Sequence, residues 1–200
     1  MATRTTGKRL PYLAGGGVVA VVAALFALMF GVGSAAAVDK ELTYKGAFPL
    51  IGEQTVSTVV HVDIPEKATA GETLSVPFSI DVDAGEATTQ GLQLVGAKKL
   101  SGGIKASVTL TISDGQSVQV PVELPIPETA VPTEGTLKFT AEGSVDFTVP
   151  AGVPAGEATT KVDPEAVTHV VTDSSLGEFD VNLSLAPPEQ DTVLGKTQVG

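Results

Sequence analysis

The sequence predicts an all-β protein: an antiparallel two-sheet β-sandwich of immunoglobulin-like kind, preceded by a helical signal peptide. Three observations predict it. Apolar and polar residues alternate with period two in run after run, the pattern of half-buried strands. The 22 Gly and 13 Pro of the chain punctuate those runs at short intervals, as turns do in a sandwich. No stretch beyond the N-terminal segment carries a helical period of comparable strength. A β-barrel is the competing architecture, because closure would use the same short strands.

The first element is an export signal. Arg4, Lys8 and Arg9 form a basic head, Val18–Phe30 an apolar run, and Ala35 and Ala37 a small-residue site. These are the three parts of a secretory signal peptide. Cleavage after Ala37 gives a signal peptide at 1–37, a single β-sandwich domain at 38–186 and a flexible C-terminal tail at 187–200. The rival is an uncleaved anchor, since Leu13 to Val32 approaches the ~20 apolar residues that span a bilayer. The small residues past the run favour cleavage. Export by the general route implies a secreted, extracellular protein, released or associated with the cell wall.

The strands follow in order. Val56, Thr58, Val60, Val62 and Ile64 share a face, with His61 and Asp63 opposite. Leu74, Val76, Phe78, Ile80 and Val82 make the next run, and Ile104 to Ile112 and Val118 to Leu124 another two. Leu137 to Ala141, Val145 to Val149 and Phe179 to Leu185 complete the series. One hairpin can be set in register, because opposed residues must share a face. A three-residue turn at Ser113-Asp114-Gly115 opposes Leu110 to Val118, Val108 to Val120 and Ala106 to Val122. A two-residue turn would oppose apolar to polar residues. The longer turn also puts Gly115 where positive φ is needed.

Proline sets the limits. Pro77 and Pro121 lie within strand patterns and cannot donate to a ladder, which places them on edges or at bulges. Pro125, Pro127 and Pro132 delimit a connection, as do Pro150, Pro154 and Pro164. The hexapeptide Ala84-Gly85-Glu86-Ala87-Thr88-Thr89 recurs at Ala155–Thr160. The two copies read as unrelated surface loops.

Charge excludes some partners. The chain carries a net charge of −11, and residues 1–37 hold three of its basic groups and no acid. The remainder is therefore still more acidic, against nucleic acid, which needs clustered Lys and Arg. It is equally against membrane contact after signal cleavage, since anionic headgroups repel it. Cysteine and tryptophan are absent, so no disulfide contributes and the core rests on Val, Ile, Leu and Ala.

Tyr44, then Phe48-Pro49-Leu50-Ile51-Gly52 and Gln54, leading into a Val/Thr strand that ends Asp63-Ile64-Pro65, resembles the opening of a known family. It is the actinobacterial family of exported domains of unknown function, DUF6801. The resemblance continues more loosely through Gly71-Glu72, Gly96 to Gly103 and Phe179 to Leu185. It implies a secreted actinobacterial β-domain and supplies no activity or site. Members often carry a cysteine just before the segment, where this chain has Lys45-Gly46-Ala47, so a family disulfide is absent. The Phe48–Gly52 segment itself reads as an apolar anchor and a turn, a packing role.

Catalytic groups are scarce. His61 and His169 are the only histidines, no G-x-S-x-G elbow occurs, and nothing fixes a serine beside either imidazole. Two histidines alone cannot supply an ordinary zinc site. Asp81, Asp83 and Glu86 are the metal candidates, since hard oxygen ligands past a strand end suit calcium. A solvated acidic strand end is the favoured explanation of the three, because the full calcium-loop pattern is missing. Asn182, the sole asparagine, would be the acceptor of any Lys–Asn isopeptide bond, and its strand pattern turns it outward. The expectation is a non-catalytic extracellular or cell-envelope interaction module with an unidentified protein or cell-wall partner. The alternatives are a secreted hydrolase using carboxylates and a lone histidine, and a protease inhibitor presenting the Pro125–Pro132 connection.

Overall fold

The period-two runs become strands wherever one face can be buried. The computed structural model describes residues 35–200, so the signal-peptide reading, apart from Ala35–Ala37, lies outside the described residues. The elements are β1 (Ala35–Phe48), β2 (Gly52–Pro65), β3 (Lys67–Ala68), β4 (Thr73–Asp83), α1 (Gly85–Leu94), β5 (Lys99–Thr111) and β6 (Ser117–Ala130). They continue with β7 (Lys138–Thr148), β8 (Gly156–Val162), β9 (Glu165–Thr172), β10 (Glu178–Leu185) and β11 (Val193–Val199). The described residues are all-β with one short helix.

Hydrogen bonding joins the strands into one sheet in the order β3-β11-β8-β5-β9-β10-β1-β2-β4-β7, with β6 on the other edge of β5. The sheet is mixed, because β11 runs parallel to β3 and the other pairs are antiparallel. β8 and β9 share one edge of β5: β8 pairs Val108–Thr111 and β9 pairs Leu100–Lys105. Asp163-Pro164 breaks the chain between them.

The sheet is open, which corrects the barrel alternative. β6 and β7 come to lie beside each other, yet no ladder joins them. Sequence supplies a reason. The Ile112 N–H donates to the Gln116 carbonyl, so even-numbered residues of β6 bond to β5 and odd-numbered ones face the free edge. Pro121 and Pro125 fall on that free edge and remove donors from it. Pro121 thus sits on an edge strand, as its sequence pattern required. The β2 ladder ends at Phe78, one residue short of Pro77, so Pro77 interrupts no bond there.

The β5–β6 hairpin has the expected register, with Leu110 opposite Val118, Val108 opposite Val120 and Ala106 opposite Val122. Gly115 takes φ 85°, the left-handed value the three-residue turn demands. Several other expectations are corrected. β6 runs on through Pro125 and Pro127, because Leu124 and Ile126 continue the buried alternation. The two runs at 137–149 form one strand, β7, bridged by Gly143. A Cβ on Gly143 would meet Leu124 Cδ2 at 2.8 Å, so glycine is what lets β7 approach β6.

Residues 187–200 are not a flexible tail. Gln190 exchanges hydrogen bonds with the backbone N–H and C=O of Thr43 at 2.8 and 2.7 Å, and Lys40 pairs Asp191 at 2.7 Å. β11 follows, burying Leu194, Thr197 and Val199. A register shift between Val193 and Gly195 changes the phase of the alternation, which hid this strand from the period-two reading. Helix α1 was hidden for a different reason. Its buried positions are Thr88, Thr89 and Leu92, only one of them strongly apolar.

Most buried side chains form one cluster, with Leu42, Leu124, Leu194 and Val181 almost fully enclosed. Ala68, Val149, Ala158 and Val199 make a smaller one at the β5–β6 turn end of the sheet.

Candidate functional site

The polar chemistry lies on outward faces. In β2, His61 stands directly opposite Asp39 of β1 and Ser79 of β4. Its Nδ1 lies 2.7 Å from Asp39 Oδ1 and its Nε2 3.1 Å from Asp81 Oδ2. Hydrogen bonds to Asp39 and then Asp81 raise its pKa. A serine therefore does stand beside His61, against the sequence reading, and lines the same recess, but carboxylates hold both ring nitrogens. His169 repeats the motif on β9, opposite Asp180, with Nδ1 at 2.7 Å from Asp180 Oδ1.

The three metal candidates hold separate partners. Asp81 accepts hydrogen bonds from Thr140 Oγ1 and His61, which lower its pKa. Asp83 accepts from the Gly85 N–H at 3.0 Å and pairs with Lys138 at 3.0 Å. Burial opposes the charge of Asp83, and those contacts outweigh it, leaving its pKa lowered. Glu86, in the first turn of α1, accepts from Gln90 Nε2 at 3.1 Å. Among the described residues no three His, Cys, Asp or Glu side chains come together as a metal site.

The most connected carboxylate is one the sequence did not single out. Asp163, between β8 and β9, accepts from Ser107 Oγ at 2.5 Å, Thr109 Oγ1 at 2.6 Å and Gln119 Nε2 at 2.7 Å. Burial pushes its pKa up and those bonds pull it down further, for a net lowering. Its donors come from β5 and β6, so it pins the strand break to the β5–β6 hairpin. The tyrosine inside the sheet, Tyr44, has its phenol pushed up to about 12 by burial and by the charge of Asp163. It stays protonated at any ordinary pH.

The apolar chemistry gathers at the other end of β5 from its turn. The β1–β2 turn holds Leu50 at φ 68°, a left-handed conformation that disfavours a branched side chain. Leu50 is 68% exposed. Phe48 and Ile51 pack as the sequence reading required, but Leu50 does not, and its role is corrected accordingly. Ile51 sits against Gly91 of α1, where a Cβ would meet Ile51 Cγ2 at 2.8 Å. One turn further along α1, Leu94 is 81% exposed. Beneath them lies a cavity of about 100 Å³, lined at its outer end by Pro49, Leu50, Ile51 and Gly91. A second cavity of about 90 Å³ occupies the opposite end, and Phe78 and Val108 line both. Neither positive φ at a leucine nor a cavity has a sequence signature.

The described residues thus form an open, mixed, all-β sheet with an apolar interior, and its polar groups gather in an outward recess of about 310 Å³ lined by Asp39, His61, Asp63, Ser79 and Glu142. The chain belongs to the family of unknown function DUF6801, whose model matches residues 43–195. The match spans the Phe48–Gly52 segment and extends into β11. No curated protein is similar to the chain at a significant level.

Proposed function

We infer that the protein is a secreted actinobacterial interaction module, non-catalytic, acting in the extracellular space or on the cell envelope. In this reading the sheet folds over as an immunoglobulin-like sandwich, and a protein partner docks at the Leu50 end. The observation that carries it is Leu50 itself. The left-handed conformation costs a leucine about 1–2 kcal/mol, and a 68% exposed side chain recovers little of it by burial. Such strain is characteristic of binding positions. Leu94 adds apolar surface one turn along α1 from the Ile51–Gly91 contact, and Glu53 of β2 and Gln90 and Gln93 of α1 are exposed polar residues on the same two elements. A clustered apolar patch with a polar rim suits a protein surface. The net charge of −11 disfavours phosphate and anionic lipid.

Export rests on the basic, apolar and small-residue succession at the N-terminus. For the hydrolase alternative, His61 shares its recess with Asp39, Asp63, Ser79 and Glu142, but Asp39 and Asp81 hold both of its ring nitrogens, and His169 stands between Glu178 and Asp180. The inhibitor alternative loses its loop, because residues 125–130 belong to β6. The test is a photo-crosslinking residue placed at position 50 and, as control, at position 114 in the opposite turn, in producing cells. Position 50 is expected to give a discrete adduct and position 114 none. Equal labelling from both, or none from position 50, would contradict the reading.

A further inference from the structure

Thr88 of α1 is 5% exposed, and its Oγ1 is the one buried side-chain polar atom without a hydrogen-bond partner among the described residues. Burial strips water from a hydroxyl, and nothing here replaces it. The same residue lines the cavity of about 100 Å³ beneath the Leu50 end. Of the other hydroxyls on that lining, Thr58 donates to the Leu42 carbonyl and Ser107 to Asp163, while Tyr44 and Thr168 also line it. No Asp, Glu, Lys, Arg or His lines the cavity.

We propose that this cavity binds a small neutral organic molecule, its apolar body about the size of a benzene ring and its single oxygen bonded to Thr88 Oγ1. Size sets the body. An apolar cavity of about 150 Å³ takes up benzene, and this one, about a third smaller, reaches that class with shifts of its Val, Leu and Ile side chains. Charge sets the head group. An ionised ligand would lose its hydration with no counter-charge on the walls. A lone water fits poorly, since it needs two to four polar partners. Entry lies between the β1–β2 turn and α1, where Ile51 packs against Gly91 and both line the cavity. The inference goes beyond the docking reading and does not depend on it.

The test is calorimetric titration of the full chain with phenol and with benzene, alongside Thr88→Val and Thr88→Ser, with circular dichroism confirming the fold of each. Phenol is expected to bind saturably and about tenfold tighter than benzene, the yield of roughly one hydrogen bond. Thr88→Val should bring phenol down to the benzene level, and Thr88→Ser should keep the preference. Absence of saturable phenol binding, equal affinities in the native chain, or a preference that survives Thr88→Val would overturn the proposal. Should Thr88→Val fail to fold, the native and Thr88→Ser affinities decide it.

Discussion

The same six residues, Ala-Gly-Glu-Ala-Thr-Thr, open a helix at Ala84–Thr89 and form a strand at Ala155–Thr160. In α1 the first copy buries Thr88 and Thr89 and leaves Ala87 exposed. In β8 the second buries Ala158 and Thr160, two residues apart. The flanks make the difference. Asp83 accepts the Gly85 N–H before the first copy, and Leu92 follows at helical spacing. The second copy is taken up from both edges, by β5 and by β11, and Asp163 fixes the chain just beyond it. Helix propensity is a weak prior that tertiary pairing overrides, and this pair shows it within one chain.

Paired substitutions can break that comparison. The largest effect is expected from Ala158→Asp, which puts a charge into a fully buried strand position and should cost about 3–5 kcal/mol. The equivalent Ala87→Asp on the exposed side of α1 should stay within about 0.5 kcal/mol. Denaturant titration of both reads the contrast, and equal losses would mean that the two copies share one environment. Next comes Gly156→Ala, whose Cβ would meet Ser113 Cβ at 2.6 Å. It should cost about 2 kcal/mol against about 1 for Gly85→Ala, where positive φ is the main penalty.

The flanking aspartate of the second copy sharpens the comparison by pH. The carboxyl of Asp163 is held below its ordinary value. Its stabilisation is therefore full above the unfolded carboxylate pKa and lost as pH falls through the folded one. Asp163→Asn should lower neutral-pH stability by about 1 kcal/mol, discounted for partial exposure, and flatten the acid limb of a stability profile. His61 has the opposite sign. Its raised pKa gives stabilisation that is full below the unfolded histidine value and fades as pH rises through the folded one. His61→Gln should remove that small slope, and an unchanged profile would count against the Asp39–His61–Asp81 contacts.

The β5–β6 hairpin was legible in the sequence down to its register, because strong alternation and one glycine leave a single face-consistent pairing. β1 was less so. Lys40 stands on the inward parity with Val38, Leu42 and Tyr44, and only its distant partner Asp191 accounts for it there. β8 has too few large apolar residues to show a period, and β11 loses phase at its register shift. The outward placement of His61 was readable, but its partners come from other strands and were not. Leu50 falls within the packing turn that the Phe48–Gly52 sequence implies. Its left-handed φ follows from closing β1 onto β2 in full register, with Phe48 opposite Gly52, and no residue type announces that.

Leu50→Gly, followed by denaturant unfolding of the full chain, tests most directly whether Leu50 is held outward for a partner. Glycine adopts φ 68° freely, so the account predicts a variant at least as stable as the native chain, by up to about 1 kcal/mol. A loss of more than about 1 kcal/mol would show that Leu50 serves packing and would contradict the account.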